Sequence, residues 1–115
     1  MSQAQEETER ELDRWLAALM ESGLTLAALA AVRREEATAA EAACHLTEYT
    51  AGMMVVDEGR LARVLVTQEQ QGNVERVDGR YRITANGKRY MFVLLKQWNR
   101  YVDSMNNLWG CYYGT

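Results

Sequence analysis

Apolar residues recur every three or four positions along most of the chain, which is the period of an amphipathic helix. This spacing predicts a first helix over 6–22, and its first turn is acidic, where the helix dipole favours negative charge. Gly23 is expected to end this helix, and a second apolar segment follows over 24–32. The predicted inward face of the first helix comprises Leu12, Trp15, Leu16, Leu19 and Met20.

Two shorter helices are predicted from their capping signals. Thr38 followed by Glu41 forms a capping box that opens a helix over about 39–50. Asp57 can cap a third helix that reaches about Gln71, and Gly72 is suited to end it. The inward positions of these two helices are Ala42, Ala43, Leu46, Leu61, Val64, Leu65 and Gln68.

A β-hairpin follows the third helix. Two alternating runs flank Asp78-Gly79, a pair that favours a two-residue hairpin turn. We expect one buried and one exposed side on each strand, with the register open by one residue. The predicted buried residues are Val74, Val77, Tyr81 and Ile83.

The last predicted helix begins after Thr84 and carries two apolar stripes. The first has steps of 4, 3, 4, 3 and 4, the spacing of a heptad seam: Met91, Leu95, Trp98, Val102, Met105 and Trp109. The second comprises Tyr90, Leu94, Tyr101 and Leu108. One face can pack on the chain's own helices and the other is left for a partner, so we interpret this element as a dimerisation helix.

The order of these elements predicts an α+β, mostly α, fold: a winged helix-turn-helix with a long C-terminal dimerisation helix. The third helix would enter the major groove, and the hairpin would be the wing. We expect a single domain in two parts. Residues 1–84 would form the N-terminal helix and the DNA-binding head, and residues 85–115 the dimerisation helix and a short tail.

Charge is distributed unevenly along the 115 residues. The net charge is −3, yet residues 1–22 carry a local −4 and residues 76–100 a local +6. An acidic body with one basic, phosphate-contacting surface would show this asymmetry. The alternative is that residues 76–100 form a solvated helix face and exposed strand positions.

Other function classes find little support in the sequence. No apolar run is long enough for a membrane span and the N-terminus is acidic, so we expect a cytoplasmic protein with no membrane partner. Cys44 and Cys111 are expected to be reduced thiols, and with His45 they lack metal-ligand spacing. Neighbours in a helix point to different sides, so Cys44 and His45 cannot form a nucleophile–base pair. We expect no enzyme, no metal and no cofactor.

Three segments resemble the PadR-like transcriptional regulators. Residues 59–75 resemble the recognition helix and first wing strand, 80–88 the second strand and the turn into the last helix, and 95–109 the dimerisation helix. The matching residues are Gly59, Leu61, Leu65, Gly72, Val74, Glu75, Tyr81, Ile83, Thr84, Gly87 and Trp98. The resemblance implies a repressor-like, homodimeric regulator that binds double-stranded DNA, and some such regulators sense phenolic acids or hydrophobic drugs.

The chain departs from the family pattern at several positions. Ala62-Arg63 stands where the family usually has Tyr-Pro, and Gln68 and Asn73 stand where it usually has leucine. The wing tip at 77–79 is short. Three acids, Asp57, Glu58 and Glu69, lie on or beside the recognition helix.

The resemblance and the predicted helix face suggest six DNA contacts. Arg60, Arg63 and Thr67 would read base edges, because arginine can pair bidentately with guanine. Arg76, Arg80 and Arg82 on the wing would contact phosphates. The alternative is that Arg60 and Arg63 are ordinary surface residues.

Trp98 is the candidate for a ligand site. Near a two-fold axis it would face its own copy, and two indole rings could enclose a flat aromatic effector. Alternatively, Trp98 is packed in the dimer interface. The predicted ligand or dimer interface comprises Trp15, Met91, Leu95, Trp98, Val102, Met105 and Trp109, with Tyr101 beside it.

A second function remains open. A winged helix with an acidic recognition helix can bind another protein instead of DNA, acting as an anti-regulator. The acidic helix over 6–22 and the aromatic tail Cys111-Tyr112-Tyr113 would be available to such a partner.

Overall fold

The computed structural model describes residues 2–110, apart from the side chains of Met20 and Ser22. Its described part is a mostly helical winged helix with one two-stranded antiparallel sheet, which confirms the predicted fold class. The elements in chain order are α1 (Gln3–Arg34), α2 (Ala39–Tyr49), α3 (Glu58–Gln70), β1 (Val74–Val77), β2 (Arg80–Ile83) and α4 (Ala85–Leu108).

Helix α1 runs through Gly23, so the first helix does not end there as expected, but the helix bends sharply just before this residue. A glycine inside a helix costs only about 1 kcal/mol relative to alanine, and the packed second half outweighs that cost. The halves Gln3–Leu19 and Gly23–Arg34 differ in direction by 57°. Among the described helices none alone is long and apolar enough to cross a membrane; the two bent halves of α1 together pass by length and composition only.

The hydrophobic core lies between the second half of α1, the two short helices and the wing. Its largest fully buried side chains are Leu29, Leu61, Leu65 and Val74. The predicted Ala42, Ala43 and Leu46 are also buried. By contrast, the first half of α1 is largely exposed, and Trp15 is 60% exposed. The predicted inward face of that half therefore does not pack within its own chain, and Met20 lies outside the described side chains.

The predicted helix starts are confirmed in detail. Thr38 and Glu41 form a reciprocal capping box, with bonds of 3.0 and 3.2 Å. The Asp57 carboxylate accepts a hydrogen bond from the Arg60 backbone N–H at 2.9 Å. Thr84 caps α4 by accepting a bond from the Gly87 N–H at 3.0 Å. Each cap satisfies a backbone donor that the helix itself leaves unpaired.

The wing has the predicted two-residue turn, with Val77 paired to Arg80 and positive φ at both Asp78 and Gly79. Positive φ at both positions matches the strand twist of a tight hairpin. The same register overturns one expectation. Val77 lies on the exposed face and is 42% exposed, because only alternate residues of β1 face the core.

A short bridge ties the wing to the helical head. Tyr81 of β2 exchanges two backbone hydrogen bonds with Ala37, at 2.7 and 3.1 Å, in the link between α1 and α2. Tyr81 and Ala37 are both buried. The wing is thus fixed to the head along the edge of β2 that does not pair with β1.

Gly87 permits the first turn of α4 to lie against the start of the wing. A Cβ there would overlap the Asn73 carbonyl oxygen and lie 2.8 Å from Ile83 Cγ1. Gly87→Ala should therefore lower the free energy of unfolding by about 1–3 kcal/mol, as measured by urea unfolding.

The matched control is Gly23→Ala, because a Cβ at Gly23 would have no neighbour within 4 Å. Its helical position predicts unchanged stability or a gain of up to about 1 kcal/mol. Equal stabilities for the two variants would contradict the close approach at Gly87.

Candidate nucleic-acid interface and apolar cleft

Arg63 and Thr67 lie on the exposed face of α3, as predicted. The Thr67 hydroxyl donates a hydrogen bond to the Arg63 carbonyl at 3.0 Å. Both side chains border a shallow hollow of about 250 Å³ beside Thr25 of α1. Among the described residues Arg63 forms no ion pair, so its guanidinium is available to a ligand.

Arg60 lies nearer to α1 than the sequence suggested. Its guanidinium forms an ion pair with the Glu21 carboxylate, and its side chain is half-buried. The structure therefore separates Arg60 from Arg63: one contacts α1 and the other faces solvent.

The three wing arginines occupy two faces of the hairpin. Arg80 and Arg82 lie on the exposed face, and Arg76 lies on the face that carries Tyr81. The Arg76 guanidinium lies 5.0 Å from the centre of the Tyr81 ring. A nucleic acid that follows the exposed face would thus meet Arg80 and Arg82 first.

Each wing arginine has a carboxylate partner. Arg76 contacts Glu69 of α3 at 2.8 Å, Arg80 contacts Glu41 of α2 at 3.2 Å, and Arg82 contacts Glu75 across the hairpin at 2.5 Å. The hydrogen bond that Arg76 donates to Glu69 raises the pKa of Arg76, and the one that Arg82 donates to Glu75 raises the pKa of Arg82. The Thr38 backbone N–H lowers the pKa of Glu41.

The carboxylate partners of Arg60 and of the wing arginines were not predicted from the sequence. The Glu75–Arg82 pair could have been found, because a two-residue turn at Asp78-Gly79 places the two residues directly opposite each other. The partners Glu21, Glu41 and Glu69 lie on other elements, and their pairing depends on how the helices and the wing pack.

A buried polar network fixes the wing to α3 and α4. The Asn73 amide donates to the Gln68 side-chain oxygen at 2.8 Å, and Asn86 donates to the Asn73 side-chain oxygen at 3.0 Å. Gln68 and Asn73 are both buried. The two polar residues that replace the family's usual leucines are therefore hydrogen-bonded to each other.

An apolar cleft of about 530 Å³ lies between α1, α4 and the link that precedes α3. Arg33 and Arg34 are its charged lining residues, beside Leu26, Ala27, Ala30, Met53, Met54, Met91, Leu95 and Trp98. A second cleft of about 580 Å³ lies beside Tyr90, Leu94 and Tyr101. Leu19, Gly23, Leu26 and Trp98 line both clefts, so Trp98 stands between them.

The predicted interface residues differ in burial. Met91 is in the core, Trp98, Val102 and Met105 are half-buried, and Leu95 and Trp109 are more exposed. Only the beginning of the seam therefore packs within its own chain. The predicted tail site at Cys111-Tyr112-Tyr113 lies outside the described residues.

His45 and Cys44 lie apart from both surfaces. Cys44 is an exposed thiol, whereas His45 lies 3.7 Å from the Glu35 carboxylate and against the Tyr49 ring. Within residues 2–110 no three His, Cys, Asp or Glu side chains are grouped to hold a metal ion.

Comparison with known proteins bears on the fold. No family model and no curated protein matches the sequence. Several solved structures match: among them, a transcriptional regulator from Clostridium thermocellum has a TM-score of 0.71 at 18% identity, covering 78% of this chain and 93% of its own. A PadR-like transcription factor from Bacteroides fragilis has a TM-score of 0.63 at 19% identity, covering 80% of this chain and 95% of its own.

This chain has the PadR-like regulator fold. At such low identity the likeness concerns the fold, and the function has to be argued from the site. Within this PadR-like fold, α3 takes the place of the recognition helix, the β1–β2 hairpin is the wing, and α4 is the long C-terminal helix.

The Gln68–Asn73 pair yields a test of how the wing is held. Asn73→Leu should lower the free energy of unfolding by about 1–3 kcal/mol, because Gln68 would be left buried without its donor. Replacing both residues with leucine should restore most of that loss, since no unsatisfied polar group remains.

Urea unfolding measures both variants, and Asn107→Leu is the control because Asn107 is exposed and lies outside this network. If the double variant is less stable than Asn73→Leu, the hydrogen bond between Gln68 and Asn73 does not explain why these two buried positions are polar.

Proposed function

We propose that this chain is a DNA-binding transcriptional regulator of the PadR type, repressor-like and homodimeric. The observation that carries the proposal is Arg63, exposed on α3 and without an ion pair among the described residues, together with a wing that has three half-exposed arginines. The two solved relatives are described as a transcriptional regulator and a PadR-like transcription factor, which supports the same interpretation.

The six predicted residues have different roles in this proposal. Arg63 and Thr67 read base edges in the major groove, and Arg60 joins them when it leaves Glu21. Arg76, Arg80 and Arg82 position the wing on phosphates and carry no sequence information. The protein would act in the cytoplasm, without a metal or an organic cofactor.

The homodimer is supported by apolar side chains that residues 2–110 leave uncovered. They lie on the first half of α1 and the second half of α4, and include Leu12, Trp15, Leu95, Tyr101, Leu108 and Trp109. A small chain that exposes this much apolar surface on two helices gains stability by burying it against a second copy. In this proposal residues 85–115 and the first half of α1 form the interface.

An aromatic effector is supported by the clefts beside Trp98. Their lining is mainly apolar, and an indole ring separates them. An aromatic compound that stacks on Trp98 would contact α1 and α4 together. It would thereby act on the helices that carry the proposed dimer contacts.

A second function is favoured by the ion pairs. Four of the five predicted DNA-contacting arginines, all except Arg63, already contact a carboxylate. Such a surface suits a protein partner with both charges, as in a winged-helix interaction module that antagonises a regulator.

DNA binding is tested by polarisation titration of labelled duplex at two salt concentrations. We expect the affinity to fall steeply as salt rises, because phosphate contacts release counterions. A duplex affinity that does not change with salt concentration, or no duplex binding, would favour the protein-interaction module.

Duplexes selected for tight binding test the recognition helix. Arg60→Ala with Arg63→Ala should cost about 1–3 kcal/mol of discrimination for each guanine that an arginine no longer reads, with the fold retained. Arg100→Ala on the polar face of α4 is a control for loss of positive charge. Unchanged selectivity in the double variant would remove Arg60 and Arg63 from the site.

The homodimer is tested by sedimentation. Leu95→Asp or Val102→Asp should halve the mass, because a charge would have to be buried in the apolar seam. Asn107→Asp adds the same charge on the polar face of α4 and should leave the mass unchanged. A wild-type chain that sediments as a monomer would contradict the proposal.

A further inference from the structure

The wing presents its positive charges already neutralised. Arg82 and Arg76 each donate a hydrogen bond to a glutamate, Glu75 and Glu69, and all four side chains are partly exposed. A phosphate that approaches the wing therefore meets guanidinium groups whose charge is already paired with a carboxylate, and the carboxylates repel it. Arg63 on α3 has no such partner among the described residues.

We propose that Glu75 and Glu69 compete with DNA phosphates for the wing arginines and so limit the affinity of this surface for any duplex. The inference rests on the proposed function, and it assigns a role to two acidic residues that make no favourable contact with DNA. Their effect is the same for every sequence, because phosphate contacts carry no base information.

The Glu75–Arg82 pair is built into the hairpin register. The two residues are direct cross-strand partners on the exposed face, and Arg82 Nε lies 2.5 Å from a Glu75 carboxylate oxygen. Since the two-residue turn fixes the register, the pair forms whenever the wing folds. A phosphate can take the Arg82 Nε–H only by displacing Glu75, and it meets the Glu75 charge when it approaches the other donors of this guanidinium.

The Glu69–Arg76 pair links the wing to the recognition helix itself. Glu69 lies in the last turns of α3, and its carboxylate is 2.8 Å from the Arg76 guanidinium. The Tyr81 ring supports the same guanidinium. Arg76 thus has two partners, Glu69 and the Tyr81 ring, whereas Arg82 has one. Glu75 is therefore the simpler position to substitute in a test.

Removing the competitor should strengthen binding by a predictable factor. An exposed ion pair shifts an equilibrium by up to about fivefold, and removal of the glutamate charge also removes its repulsion of the phosphate. Glu75→Gln should therefore tighten duplex binding by about three- to tenfold at low salt. If Arg82 gains a phosphate contact, the slope of log affinity against log salt should steepen by about 1.

The experiment is polarisation titration of the full chain with a labelled random duplex and a selected one. Asp103→Asn is the matched control, because it removes one negative charge at an exposed position on the polar face of α4, outside the apolar seam. Glu41 is unsuitable for such a test, since its side chain closes the capping box of α2. Thermal unfolding checks that Glu75→Gln retains the fold.

The expected result is an equal gain on both duplexes for Glu75→Gln, none for Asp103→Asn, and none for Glu75→Gln in an Arg82→Gln background. A gain that persists without Arg82, or one matched by Asp103→Asn, would show a general charge effect and overturn the inference. If wild type binds and Glu75→Gln binds equally, the inference fails and the proposed function stands. Binding by neither protein overturns both.

Discussion

The arrangement of this chain depends on the contact between Asn73 and the first turn of α4. The Asn73 carbonyl accepts the Thr84 N–H at 3.1 Å and lies where only glycine fits at position 87. Its side chain joins Gln68 of α3 to Asn86 of α4. One residue therefore fixes three elements, so the recognition helix, the wing and the long helix keep a set geometry.

The ion pairs of the wing depend on this constraint. Because the wing is held against α3, Arg76 can reach Glu69, and because the hairpin register is fixed, Arg82 faces Glu75. Each pair contributes little to stability, since exposed ion pairs are screened and cost side-chain entropy. Their consequence is electrostatic: the two carboxylates make the net positive charge at the wing smaller than its arginine count indicates.

Local signals in the sequence predicted much of this fold, whereas packing decided the rest. The caps at Thr38, Asp57 and Thr84 are interactions between residues a few positions apart, which a sequence shows directly. The continuity of α1 through Gly23 depends instead on packing of its second half against the core, which outweighs the helix propensity of one glycine. The candidate site was predicted less completely for the same reason. The sequence identified the wing arginines, and the Glu75 partner of Arg82 follows from the hairpin register. The other carboxylate partners, Glu21, Glu41 and Glu69, follow from packing.

The exposed apolar surfaces lie on the first half of α1 and toward the end of α4. The second half of α1 is buried in the head and the first half is not, although the same spacing of apolar residues runs through both. Helix α4 shows the same contrast, with Met91 of its first half in the core and Leu108 at its end 73% exposed. In the proposed dimer these two exposed stretches cover each other across the two-fold axis. The rigid junction at Asn73 would then transmit the separation of the two long helices to the separation of the two recognition helices, which is the distance that a pair of DNA half-sites must match.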